Sequence, residues 1–170
     1  MALPDAAHPG TKFLHKDKFA GGKGKFQAVQ YRPPAEEPDV EYPFRLTTGR
    51  ILYHYHTGSM TRRSVGLNEI CKEGYIEINP ADAEFLGIKE NDLVTVSSRR
   101  GKIEIKAKLT NIVARGVVFI PFHFAESAAN VLTNAALDPI AKIPEFKVCA
   151  VRISPTGLTG LTCPTDMTNY

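Results

Sequence analysis

Tryptophan is absent from this chain and cysteine occurs only three times. Cys71, Cys149 and Cys163 are far apart and form no C-x-x-C pair, so the sequence indicates neither a disulfide framework nor a zinc or iron–sulfur site. They read as reduced thiols, with Cys149 a small buried hydrophobe inside the apolar run Val148–Val151. No apolar run approaches the length of a membrane span, and Met1-Ala2-Leu3-Pro4-Asp5 lacks both the basic start and the apolar core of an export signal. The expectation is a cytoplasmic protein without membrane insertion. A formal net charge of +3 is too small to imply nucleic acid by itself, though it suits an acidic ligand if the positive groups gather. No internal repeat is visible.

What is present is enough for one domain. The chain has 170 residues, 43% hydrophobic and 23% charged, ordinary for a globular protein with one core and some unstructured sequence. Residues 1–41 are rich in Pro, Gly and Lys, bury too little apolar surface to offset their ordering entropy, and read as a flexible linker. Phe13, Phe19, Phe26 and Tyr31 are the exceptions, suited to anchoring that linker on a surface. Residues 42–153 carry the folded domain, and 154–170, rich in Thr, Gly and Pro, read as a frayed tail.

Within the domain, strand signals are short and punctuated by turns. Ile103, Ile105, Ala107 and Leu109 alternate with Lys102, Glu104, Lys106 and Lys108, which predicts a strand with one buried face and a solvated basic face. It pairs in a hairpin with Leu93–Ser97 through Ser98-Arg99-Arg100-Gly101. Tyr75–Ile78 is a short strand. Asn79 then caps a helix with Pro80 at its first position and Asp82 in its first turn, and Gly87 ends it. Residues 62–70 read as loop or a short helical turn. Gly116–Ile120 is a buried strand, and Lys147–Ile153 is the last one. This pattern describes a mostly-β barrel with short helices.

One stretch does not read as scaffold. Phe44, Leu46 and Thr48 alternate with Arg45, Thr47 and Gly49, after which the period breaks. Gly49 would allow close approach of another group, and Arg50 supplies a planar charged fork suited to phosphate. Tyr53, His54, Tyr55, His56, Thr57 and Ser59 then crowd stacking faces and hydrogen-bonding groups into one run, held by little apolar burial. An ordinary hairpin with core aromatics and solvated histidines is the competing reading. A three-histidine metal site from His54, His56 and His123 lacks a carboxylate or thiol companion. Ser59 lacks a nucleophile elbow and a legible acid partner, so no catalytic set is indicated.

The run Thr47-Thr48-Gly49-Arg50 through His54-Tyr55-His56-Thr57-Gly58-Ser59-Met60-Thr61 carries a resemblance, together with three later segments. Those are Y-I-E-I-N-P-A-D-A-E-F-L-G-I from Tyr75, S-R-R-G-K-I from Ser98 and P-E-F-K-V-C-A-V-R from Pro144. Together they resemble the C-terminal domain of formate dehydrogenase catalytic (alpha) subunits, members of the molybdopterin oxidoreductase (DMSO reductase) family. The resemblance implies a double-psi β-barrel that binds a molybdopterin guanine dinucleotide. It places Thr48, Gly49, Arg50, Ile51 and Leu52 along the dinucleotide, with His54, Tyr55 and His56 nearer the pterin. Phe122, His123, Asn130, Phe146 and Lys147 would close the site, Asn130 pairing with a guanine or pterin edge. The Cys or selenocysteine that holds the family's molybdenum or tungsten, and its iron–sulfur cysteines, have no counterpart here. The resemblance therefore implies that catalysis belongs to other domains or a separate catalytic subunit, and that this chain is inactive alone. A double-psi barrel acting as a protein-binding adaptor without cofactor is the alternative, and a nucleic-acid module is a weaker one.

Overall fold

A computed structural model describes residues 10 and 15–156. The chain divides into two units between Arg32 and Pro33. In the first, Phe19 and Gly22 exchange backbone hydrogen bonds in a tight reversal, and Phe26 and Tyr31 are fully exposed to solvent. Phe13 lies outside the described residues.

The second unit is a closed barrel of six strands: β1 (Phe44–Gly49), β2 (Tyr75–Ile78), β3 (Leu93–Ser97), β4 (Lys102–Leu109), β5 (Val117–Pro121) and β6 (Val148–Pro155). Around the barrel they run β1, β5, β2, β4, β3, β6. The β1–β5 and β2–β4 pairs are parallel and the others antiparallel, which makes this the expected double-psi barrel. Alternation drives closure. Phe44, Leu46 and Thr48 of β1, Val94 and Val96 of β3, Ile103, Ile105 and Ala107 of β4, and Val118 and Ile120 of β5 all point into one core. The register sets Leu46 beside Val118 on one side and Cys149 on the other, so three strands fill one layer.

The outward lysines of β4 are partly neutralised: Lys106 pairs with Glu73 at 2.6 Å and Lys108 with Glu77 at 2.9 Å, the latter ammonium also lying over the Tyr75 ring. Residues 61–70 form a 3-10 turn (Thr61–Arg63) and α1 (Val65–Ile70). The capped helix is α2 (Pro80–Leu86): Asn79 Oδ1 accepts the Ala81 N–H at 3.1 Å and Gly87 closes it at φ 67°. Asp82 does more than face the helix dipole. It is buried and accepts the Gly116 N–H at 2.7 Å, tying α2 to the entry of β5. No helix among the described residues is long and apolar enough to cross a membrane.

Strand directions sort the connections. β1, β3 and β5 finish at the end of the barrel where β2, β4 and β6 begin. That end collects the loop after Gly49, the segment 122–147 and the turn 98–101. The opposite end carries α2.

Candidate functional site

Every candidate residue named from the sequence belongs to, or directly adjoins, the connections at that one end. Thr48 is buried and its hydroxyl donates to the Phe146 carbonyl at 2.8 Å. Gly49 accepts the Phe122 N–H at 3.2 Å, and the Phe122 and Phe146 rings meet edge to face at 6.4 Å. The end of β1 is thus tied to both segments that return over it. Gly49 has a different reason from the one its sequence context suggests: a Cβ there would lie 2.8 Å from Phe119 Cε2, so the space is filled by this chain's own ring. Arg50, by contrast, is exposed. Its Nη2 lies 3.4 Å from His56 Nδ1, and it has no carboxylate partner among the described residues.

The loop that follows is better anchored than its composition suggests. His54 is 2% exposed, its Nε2–H donates to the Cys71 carbonyl at 2.8 Å, and its Nδ1 accepts the Thr61 hydroxyl at 3.1 Å. A carbonyl can only accept, which fixes this tautomer. Thr61 Oγ1 in turn accepts the Tyr55 N–H at 3.2 Å, and Gly58 N–H donates to Tyr55 O at 2.9 Å. With both nitrogens engaged, His54 has none to offer a ligand or a metal; it sits beneath the loop and holds it. Ile51 is half-buried, whereas Leu52, Tyr55 and His56 face outward, His56 in the left-handed region at φ 50°.

Beside His54 lies His123, with ring centroids 5.1 Å apart and Phe124 packed against both. His123 is 7% exposed, yet neither ring nitrogen has a partner among the described residues. Burial, reinforced by repulsion from His54 and Arg62, pushes its pKa down to about 4, so the ring is neutral at pH 7. Arg62 is already committed, since its guanidinium forms a two-pronged pair with Glu126 at 2.8 and 3.2 Å and lies over Phe124. Lys147 and Asn130 are exposed, Lys147 without a carboxylate partner among the described residues. Asn130 rides on a 3-10 turn, Ala129–Val131.

Among the described residues this end therefore offers cations without a carboxylate partner, Arg50 and Lys147 among them, a neutral histidine whose nitrogens have no partner, an exposed amide and aromatic edges. The set fits a ligand with phosphates and nitrogen heterocycles. Among the described residues no group of His, Cys, Asp and Glu is placed to hold a metal ion. Residues 44–150 match the molydopterin dinucleotide binding domain family, a span that covers most of the barrel and every candidate residue. This chain belongs to that family.

Relatives of this dinucleotide-binding domain are enzymes of much greater length. The chain is 60% identical over 151 residues to the F420-dependent formate dehydrogenase subunit alpha of Methanocaldococcus jannaschii, matching 88% of this chain and 22% of that protein. It is 41% identical over 157 residues to the assimilatory nitrate reductase catalytic subunit of Bacillus subtilis, again matching 22% of that protein. Among solved structures, acetylene hydratase from Pelobacter acetylenicus aligns with a TM-score of 0.63 at 17% identity, over 74% of this chain and 21% of that one. That likeness is one of fold. The chain thus spans about a fifth of the length of these proteins.

Several residues of this domain that organise the site carried no signal in the sequence. Thr61 and the Cys71 carbonyl hold His54, and Phe119 dictates Gly49. Glu36, Arg99 and Arg100 belong together across more than sixty positions. Complementary charge in Glu36-Glu37 and Arg99-Arg100 was visible, but nothing local pairs them.

Proposed function

We propose that the end of the barrel bearing Gly49–His56 binds a molybdopterin guanine dinucleotide, within a formate dehydrogenase-like oxidoreductase whose molybdenum or tungsten is held by another part of the enzyme. The observation that carries the reading is the convergence of Arg50, Lys147, Asn130 and the partnerless His123 on one barrel end, next to the Phe122 and Phe146 edges. Arg50 donates to phosphate, a charge-assisted contact that suits an exposed fork with no carboxylate partner among the described residues. Tyr55, His56 and the two phenylalanines supply stacking surface, and Asn130 supplies an amide for a base edge. His54 acts from below by fixing the loop.

When bound, the cofactor supplies the redox chemistry; the barrel binds, orients and shields it. The chain by itself does not oxidise formate. Its coverage of about a fifth of its relatives supports partners in the remaining domains or a catalytic subunit of the parent enzyme. Two of the outward lysines of β4, Lys106 and Lys108, are paired with Glu73 and Glu77, which speaks against a nucleic-acid surface. Free thiols at Cys71 and Cys149 support a reducing, cytoplasmic setting. The test is calorimetric titration of the intact pterin dinucleotide into the 170-residue chain. Saturable one-to-one binding is expected, and an absence of binding at millimolar ligand would overturn the reading.

A further inference from the structure

The segment just before the barrel is not a passive tether. Residues 33–41 form neither strand nor helix, yet Glu36 enters the protein, its side chain only 11% exposed. It meets Arg100 in a two-pronged ion pair, Nη1 to Oε1 and Nη2 to Oε2, each 2.7 Å. It also accepts Arg99 Nη1 at 2.7 Å and the Ala150 N–H at 3.2 Å. Burial alone would raise the Glu36 pKa; the hydrogen bonds from Arg100, Arg99 and Ala150 outweigh it and hold the carboxyl below its ordinary value. Asp39 clamps the far side, accepting the Glu41 and Tyr42 N–H groups at 2.9 Å each and pairing with Arg99.

Arg100 does not stop at Glu36. Its Nε and Nη2 both donate to the Leu132 carbonyl, at 3.1 and 2.6 Å. Leu132 caps the turn Ala129–Val131 that presents Asn130, and its own side chain is fully buried. From the other direction the Glu145 carboxylate accepts the Ala35 N–H at 3.1 Å, next to Phe146 and Lys147. One acidic strap thus grips both stretches that form the second wall of the site, and the fork geometry of Arg100 carries the grip to Asn130.

Resting on the cofactor reading above, we propose that Glu36 and Arg100 are positioning residues that set the place of Asn130 and thereby the preference of the site for guanine over other bases. Phosphate contacts from Arg50 bind any nucleotide; only a fixed amide distinguishes one base edge from another. The strap is therefore a determinant of selectivity more than of affinity.

Guanosine diphosphate and adenosine diphosphate, titrated into the full chain and its variants, separate these contributions. Wild type should prefer the guanine nucleotide. Glu36→Gln and Arg100→Met should weaken guanosine diphosphate about tenfold, the scale of one lost hydrogen-bonded pair, and leave adenosine diphosphate unchanged. Arg100→Lys should behave like Arg100→Met, because an ammonium cannot span the carboxylate and the Leu132 carbonyl together. Arg50→Ala should weaken both nucleotides alike and keep the preference. If Arg100→Met fails to fold, the isosteric Glu36→Gln carries the same test. Retention of the wild-type preference in variants whose amide spectra keep the barrel pattern would overturn the role of the strap alone. A wild-type chain that binds neither nucleotide would overturn the cofactor reading with it.

Discussion

Replacing His123 with leucine should stabilise the free chain, and more so in acid. The ring is 7% exposed with both nitrogens orphaned, and leucine is close to it in volume. Relieving that unmet hydrogen-bonding demand is worth about 1–3 kcal/mol at any pH. A second contribution depends on pH. The folded ring has a pKa of about 4 against an ordinary value of 6.5, so between these values the unfolded chain binds a proton that the folded chain refuses. Wild-type stability therefore falls as the pH drops through this window. At pH 5 the penalty is about 2 kcal/mol and at pH 7.5 it vanishes. The His123→Leu chain lacks that slope, so its advantage should widen by about 2 kcal/mol from pH 7.5 to pH 5, or roughly 5–10 °C in midpoint. Urea unfolding at both pH values measures this, followed by circular dichroism because tryptophan is absent. The variant should also bind the cofactor more weakly, since those nitrogens are the ones left for a ligand. A variant less stable than wild type with an unchanged pH slope would refute the reasoning, placing the ring in contact with a partner or water.

Gly49→Ala should destabilise the barrel by about 1–3 kcal/mol, because the new methyl meets the Phe119 ring at 2.8 Å; Phe119→Leu in the same chain should recover much of the loss in a urea titration. Thr61→Val removes the donor to His54 Nδ1 and the acceptor for the Tyr55 N–H, and should speed hydrogen exchange of the Tyr55 amide about tenfold with little effect on amides of β4. Equal exchange in both chains would show that Thr61 does not hold the loop.

The strands were legible where one face is buried and the other wet. β4 is the clear case, with lysine and glutamate alternating against isoleucine and alanine, and α2 announced itself through Asn79, Pro80 and Gly87. Short strands and Gly-punctuated turns describe a mostly-β barrel, but its double-psi pairing is not legible in the pattern, because β1 pairs in parallel with β5 some seventy residues away and alternation says nothing about which strand is the neighbour. The resemblance alone implies that topology. At the site, the residues named from the sequence gather at one end of the barrel, and the surroundings of some of them differ from what their sequence context suggests. A histidine in a polar run looks exposed, yet His54 is buried because Thr61 and the Cys71 carbonyl satisfy it. Gly49 reads as room for a ligand until Phe119 is seen in that space. The linker through residue 41 looked featureless because the partners of Glu36 and Asp39 lie sixty residues on.

The central claim is that the barrel end at Gly49, and no other face, takes the dinucleotide. Amide chemical-shift mapping of the labelled chain during titration with the intact pterin cofactor tests it most directly. Shifts should concentrate on residues 49–57, 122–123, 130 and 146–147, while α2 and the outward face of β4 stay still. Saturable shifts confined to α2 or to the Lys102–Leu109 face, with residues 49–57 unmoved, would contradict it.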